Sequence, residues 1–352
     1  MPREVKAVHE VQAFLHDSDI DQVQLMFGID FAGSNEWNGS KTFGGRSLHA
    51  LDAGVPTPYE AVIQSVCQTM DVFDDADKTI PCYGFGDHRV TGSKDSDERA
   101  ASQSAVFSLI PGDQPCNGVE EIISRYRAVK QAVMLGKPKV DKRCFAPIIN
   151  KAIELLNEKR DTASLFDQFH VLVILTDGEV HRDSRVPSDE WSPEEMETVK
   201  AIQKASHLPL SIVVIGVGDG TGERVSDDDG QLIEGGCWKS LHQMEHSIDH
   251  REFENFVFTE YGRHSHANMS HQVKLAQLAA NAVRQLPAQW RVIRKKAISD
   301  PLGPHEKVFE RKLPQSYADD SDEDDSDHDA KNEEWDVDES KEDKSYVSYV
   351  KT

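Results

Sequence analysis

The sequence predicts an α/β fold: a doubly wound, mostly parallel sheet with helices on both faces, followed by a disordered acidic tail. Three observations carry this. Four continuous apolar runs have strand length and a β-branched or aromatic content. Capped helical segments alternate with them, and such alternation builds a sheet through right-handed crossovers. A dense run of acid near the C-terminus repels itself and has nothing to bury. The globular domain is placed at 1–304 and the tail at 305–352.

The elements follow in chain order. VQLMFGIDF (23–31), TIPCYGFG (79–86), HVLVILTD (170–177) and LSIVVIGVG (210–218) are the apolar runs. Strands apolar on both sides suit a parallel sheet covered on both faces. FVFTE (256–260) is a fifth, weaker strand. Thr57-Pro58-Tyr59-Glu60 is a capping box with proline at the first helical position, and starts a helix reaching about 73. Ser192-Pro193-Glu194-Glu195 repeats the device before a helix ending near 207. Asn117, with Glu120 three residues on, opens a helix over 119–132. Residues 146–157 and 271–286 read as two more. The polar stretches 88–105, 135–143 and 219–236 read as surface loops, and no internal repeat is present.

Charge narrows the function. The chain of 352 residues holds 39 Lys and Arg against 62 Asp and Glu, a net charge of −23. Residues 319–343 contribute 15 acids and two lysines, a net of −13. Such a surface repels phosphate backbones and anionic lipid, which argues against nucleic-acid binding and membrane insertion. No apolar run approaches the roughly 18 residues of a membrane helix. Within the tail, Ser321 and Ser326 sit among carboxylates and are candidate phosphorylation sites for an acid-directed kinase. Otherwise the tail reads as solvating. The five cysteines (Cys67, Cys82, Cys116, Cys144 and Cys237) are odd in number and lack a C-x-x-C pair. They are expected reduced and buried in a cytoplasmic protein, with the nucleus as the second compartment.

Open α/β sheets bind ligands beyond the carboxyl ends of their strands. The first strand leaves through Asp30-Phe31-Ala32-Gly33-Ser34-Asn35, and the central strand through Thr176-Asp177-Gly178. Two carboxylates and a hydroxyl are therefore expected to meet in one crevice. Such hard oxygen donors suit Mg²⁺, Mn²⁺ or weakly held Ca²⁺.

Other constellations are weaker. His242, His246 and His250, spaced i, i+4, i+8, would line one helical face and bind zinc with Cys237, but solvated histidines on a surface loop are the expectation. SDDDGQLIEGG (226–236) lacks the carboxylates an EF-hand needs at its first and twelfth positions. GVGDGTG (216–222) completes no nucleotide-binding fingerprint. Cys144 beside a helix start is expected to be a buried thiol rather than a nucleophile. Trp37, just past the Asp30 loop, is a candidate hot spot at the crevice edge, with packing beneath its own loop as the alternative. Trp191 and Trp290 belong to loop, rim or core.

A family resemblance runs through these same segments. GIDF (28–31), SNEW (34–37), PYE (58–60), IPCYGFGD (80–87), CNGVEE (116–121), FAPII (145–149), HVLVILTDG (170–178) and LPLSIVVIGVGDG (208–220) keep the order of a copine-type von Willebrand A domain. The chain resembles the copine family over about 10–290, and is similar in motif to the plant RING-type ubiquitin ligases that carry a copine domain. The copines' C2 domains have no room here, and no cysteine after Cys237 supports a RING. What the resemblance implies is therefore a non-catalytic module that binds protein partners.

The resemblance also implies a metal-ion-dependent adhesion site, D-x-S/T-x-S followed by a threonine and an aspartate from later loops. Asp30, Ser34 and Asp177 match it. Ala32 replaces the middle hydroxyl, and Arg143 stands where relatives have the threonine. Two readings follow. A weakly held divalent ion is completed by an acidic group of the partner, with Asn35, Glu36, Trp37 and Arg143 as the rim. Alternatively Arg143 neutralises both aspartates and the pocket works without metal. An adaptor or component of a ubiquitin-ligase complex, with the RING supplied in trans, is the alternative function.

Overall fold

Every residue of β1 (Val23–Asp30), β6 (Phe169–Thr176) and β7 (Leu210–Gly216) is buried. These strands form the middle of a six-stranded sheet in the order β4-β3-β1-β6-β7-β8. The outer members are β3 (Cys82–Phe85) and β4 (Phe107–Ser108) on one side and β8 (Phe256–Glu260) on the other. All neighbours run parallel except β3 and β4. The structure is a computed structural model. It describes residues 22–39, 43–52, 54–71, 79–86, 106–132, 143–158, 168–183, 190–219, 238–261 and 270–299, with isolated positions in 12–20 and at 166 and 185–187. The chain divides into two units, Met1–Pro301 and Leu302–Thr352, the second lying outside the described residues. The tail, with Ser321 and Ser326, therefore lies outside them too.

Seven helices among the described residues cover the sheet. They are α1 (Pro58–Met70), α2 (Gly118–Ala132), α3 (Ala146–Glu158), α4 (Pro193–Ala205), α5 (Lys239–Ser247), α6 (His271–Val283) and α7 (Leu286–Ser299). Strand alternation sorts the core into two halves. Phe27, Ile29, Val171, Val173, Leu175, Val213 and Ile215 pack with residues of α1, α2, α6 and α7. Met26, Leu172, Ile174, Ile212 and Val214 pack with α3, α4 and α5. The doubly wound α/β architecture is thus the one the apolar runs imply. Among the described residues no helix is long and apolar enough to cross a membrane.

Both capping boxes form. The side chain of Thr57 accepts from Glu60 N and that of Glu60 accepts from Thr57 N, and Ser192 and Glu195 do the same. Each capping glutamate is buried and also holds an arginine: Glu60 pairs with Arg127 of α2, and Glu195 with Arg182 of the loop after β6, both at 2.5 Å. The caps therefore tie helix starts to neighbouring elements, besides satisfying their own N–H groups.

Several expectations need correction. The run 79–86 is two strands, because Pro81 has no N–H to continue a ladder. Its first part, β2 (Thr79–Ile80), pairs with β5 (Cys116–Asn117) in a separate antiparallel ribbon. Asn117 is thus a strand residue, α2 starts at Gly118, and Asn117 N donates to Glu121 rather than pairing with Glu120. The helix expected over 271–286 is α6, which ends at Val283, and a further helix that was not expected, α7, starts at Leu286 with Pro287 in its first turn, where a proline is tolerated. The histidine segment is not a loop: α5 carries His242 and His246 and buries Leu241 and Met244. His250 lies past its end at φ 58, and Cys237 lies outside the described residues.

Candidate functional site

Parallel pairing of β1 with β6, in register Ile29↔Leu175, brings their carboxyl ends side by side. Asp30 and Asp177 consequently leave the sheet next to each other, as the strand ends imply. Both are fully buried, with 0% exposure. After Asp30 the chain makes a 3-10 turn over Gly33–Glu36, which sets Ser34 over the pocket and turns Glu36 and Trp37 outward. Trp37 is 45% exposed.

Arg143 fills the space between the acids. It lies just ahead of α3 and is 6% exposed. Its Nε donates to Asp30 Oδ2 at 2.8 Å, and its Nη2 lies 2.5 Å from both Ser34 Oγ and Asp177 Oδ1. Its Nη1 donates to the Glu179 carbonyl at 3.1 Å. The other carboxylate oxygens are also engaged: Asp30 Oδ1 accepts from Ala32 N at 2.9 Å, and Asp177 Oδ2 accepts from Asn38 Nδ2 at 2.8 Å. Thr176 Oγ1 lies 2.7 Å from Asp30 Oδ2 and 2.9 Å from the Gly178 carbonyl. Each acid thus has a charge partner and neutral donors, the condition for keeping an ionised carboxylate inside a protein.

An aromatic and amide layer supports the Asp30 loop. The His49 ring stacks between Phe31 and Tyr59, with centroids at 5.0 and 4.3 Å. Its Nε2 meets the Asp30 carbonyl at 2.9 Å, and its Nδ1 meets Tyr126 Oη at 2.6 Å. Burial, with Lys130 adding to it, lowers the His49 pKa to about 3, so the imidazole is neutral. Tyr59 Oη donates to Asn35 Oδ1 at 2.7 Å. Asn35, expected on the rim, is instead buried and turned inward, where its Nδ2 donates to the Ala32 carbonyl at 3.0 Å. Gly86 closes the pocket from β3. Its φ of +87 suits glycine, and a Cβ there would sit 2.7 Å from Asp30 Oδ1.

Glu179 lines the far wall. Its Oε1 accepts from Ser240 N at 2.6 Å, in the first turn of α5. Burial raises its pKa to about 7, and Glu195 adds to the rise, while the α5 amides oppose it.

The adhesion-site metal implied by the resemblance does not fit beside Arg143. A divalent ion would need Asp30 Oδ2, Ser34 Oγ and Asp177 Oδ1 at about 2.0–2.6 Å. Those same oxygens already hold the guanidinium, and a second cation in contact with it would be repelled. Among the described residues no three His, Cys, Asp or Glu side chains gather as a ligand set.

The pocket thus joins Asp30, Ser34, Asp177 and Arg143, and the exposed rim is reduced to Glu36 and Trp37. Sequence reasoning missed Asn38, His49, Tyr59, Thr176, Glu179 and Gly86. Thr176, Asn38 and Glu179 had a signal, since each lies within four residues of a recognised site residue. His49 had none. Cys144 is buried, and burial pushes its thiol up to about 11, as an inert cysteine requires. Trp290 is a core residue, and Trp191 packs at the edge of the second core half.

Fold and pocket together define an α/β domain of the von Willebrand A kind, with an arginine among its site acids. The chain belongs to the copine family: the family model described as Copine matches residues 47–301. It is 35% identical over 286 residues to the E3 ubiquitin-protein ligase RGLG5 of Arabidopsis thaliana, covering 81% of this chain and 57% of that protein. It is 36% identical over 282 residues to RGLG1 of the same plant, covering 80% of this chain and 50% of that protein. Copine family protein 2 of Caenorhabditis elegans is 31% identical over 82% of this chain, which is 3% of that protein's length. The chain spans only about half the length of the two plant relatives.

Proposed function

We propose that the chain is a non-catalytic protein-interaction module that docks partners at the carboxyl end of its sheet, through the rim formed by Glu36 and Trp37. The observation that carries this is a tryptophan 45% exposed on a turn whose base, Ser34 and Asn35, is locked into a buried network. An aromatic on a rigid support is the anatomy of a binding hot spot. Copine membership and the ligase relatives support protein binding in general. A metal-bridged carboxylate of the partner is the less favoured mode, because the guanidinium that stands in the metal's place is itself only 6% exposed. Affinity capture from the native cell with mass spectrometry tests the reading, with and without chelator. Capture should survive chelation and be lost in Trp37→Ala. Identical capture by wild type and Trp37→Ala overturns the docking assignment.

The plant relatives, E3 ubiquitin-protein ligases, favour one second reading, a component of a ubiquitin-ligase complex whose RING comes from another chain. In this reading the chain recruits the substrate and a partner recruits the charged E2. The cytoplasm, with the nucleus second, is the compartment we assign, consistent with the free thiols of Cys67, Cys82, Cys116 and Cys144.

A further inference from the structure

We infer that Arg143 is a tethered cation that keeps divalent metals out of the Asp30–Ser34–Asp177 pocket, and that a small hydroxyl residue at this one position would turn the pocket into a Mg²⁺ or Mn²⁺ site. The inference stands whether or not Trp37 docks a partner.

Three features argue for it. The first is convergence. Nη2 touches Ser34 Oγ and Asp177 Oδ1 at 2.5 Å each, while Nε of the same plane touches Asp30 Oδ2 at 2.8 Å. Three oxygens from two distant loops therefore point at one small volume, and the guanidinium occupies it. With the side chain truncated, the same oxygens would surround a space in which water completes a hard ion's shell.

The second is charge. Two buried carboxylates need compensation, and Arg143 supplies it with two ion pairs whose partners are almost wholly buried. A divalent ion would compensate the same pair fully. The two cations are therefore alternatives, since both together would be a close like-charge contact in a dry site.

The third is that the guanidinium is fixed on its other side. Nη1 donates to the Glu179 carbonyl. Opposite it, His181 N donates to the Arg143 carbonyl at 2.8 Å. Backbone and head group are thus both clipped to the strand-exit loop 177–181. For a metal to enter, those bonds and both ion pairs would have to break together, leaving a guanidinium without its acids.

The test titrates full-length wild type, Arg143→Thr, and Arg143→Thr with Asp177→Ala with MnCl2 and MgCl2, by calorimetry and by Mn²⁺ electron paramagnetic resonance. Wild type should bind no Mn²⁺ at this site up to about 1 mM, the weak end of the range for protein cation sites. Arg143→Thr should bind one Mn²⁺ and gain thermal stability with it, and the added Asp177→Ala should abolish both. If Arg143→Thr does not fold alone, Mn²⁺ during refolding should restore its circular dichroism. Arg143→Lys, which keeps the charge, should stay blind to metal. Wild-type binding that disappears in Asp30→Ala overturns the exclusion. A folded Arg143→Thr that binds no ion, or an unfolded one that Mn²⁺ fails to rescue, overturns the latent site.

Discussion

Glu179 and His49 give the pocket two opposed pH dependences. The pKa of His49 is lowered from 6.5 to about 3, so the unfolded chain takes up a proton that the folded chain refuses. Its contribution to stability is present above pH 6.5 and is lost as pH falls toward 3. The pKa of Glu179 is raised from 4.5 to about 7. Its contribution is present below pH 4.5 and is lost as pH rises through 7. Replacing Glu179 by Gln keeps an acceptor for Ser240 N and removes the second slope. Denaturant unfolding should show Glu179→Gln equal to wild type near pH 4.5 and more stable by roughly 2–3 kcal/mol at pH 8. An unchanged difference across that window would show that Glu179 does not titrate there. Gly86 is the other single-residue lever. Its positive φ and its approach to Asp30 predict that Gly86→Ala costs about 1–3 kcal/mol in unfolding free energy.

At the level of elements, the legible parts were those with local physics. The capping boxes at Thr57 and Ser192 announced α1 and α4, and both form with the hydrogen bonds they imply. Ser192→Ala removes that cap and the donation to the His181 carbonyl, so it should cost roughly 1–2 kcal/mol and lower the melting temperature. Buried strands were legible because a run apolar on both faces has few other homes. The parts that were not legible depend on tertiary placement. α5 has a mean composition no more apolar than a loop and becomes a helix because Leu241 and Met244 reach the core. α7 was hidden because Pro287 reads as a stop, whereas here it sits in a first turn. The site was half legible. Asp30, Ser34, Asp177 and Arg143 could be named from strand exits and from a resemblance. The choice between metal and arginine rested on distances that no spacing contains. Asn35 went inward because Tyr59, from α1, offers it a hydroxyl.

Across the whole molecule, charge is segregated. Residues 319–343 carry −13 of the net −23, so the remaining chain carries −10. On the proposed docking at Trp37, binding at the sheet end and any binding to the acidic segment should be separable by salt, since exposed charge is screened and a desolvated aromatic contact is not. Ubiquitin transfer is the matching test of activity. With E1, E2, ubiquitin and ATP, the purified chain should form no conjugates, and a co-purified RING protein should supply the activity. Conjugates formed by the chain alone would make it a ligase in its own right.

Arg143 bonds to Asp30 and Ser34 across 113 and 109 positions of sequence, and to Asp177 across 34. Contacts of such span must overcome loop-closure entropy before they reward the chain, so they join late in folding. During synthesis β1 emerges with its aspartate long before the arginine and the second acid exist, and water is its only solvation until they do. The Asp30–Asp177 end of the sheet is therefore finished only once the polypeptide through Asp177 has been made and its central strands have paired. A half-made copy would carry the 33–37 turn without the arginine that anchors Ser34 at its base.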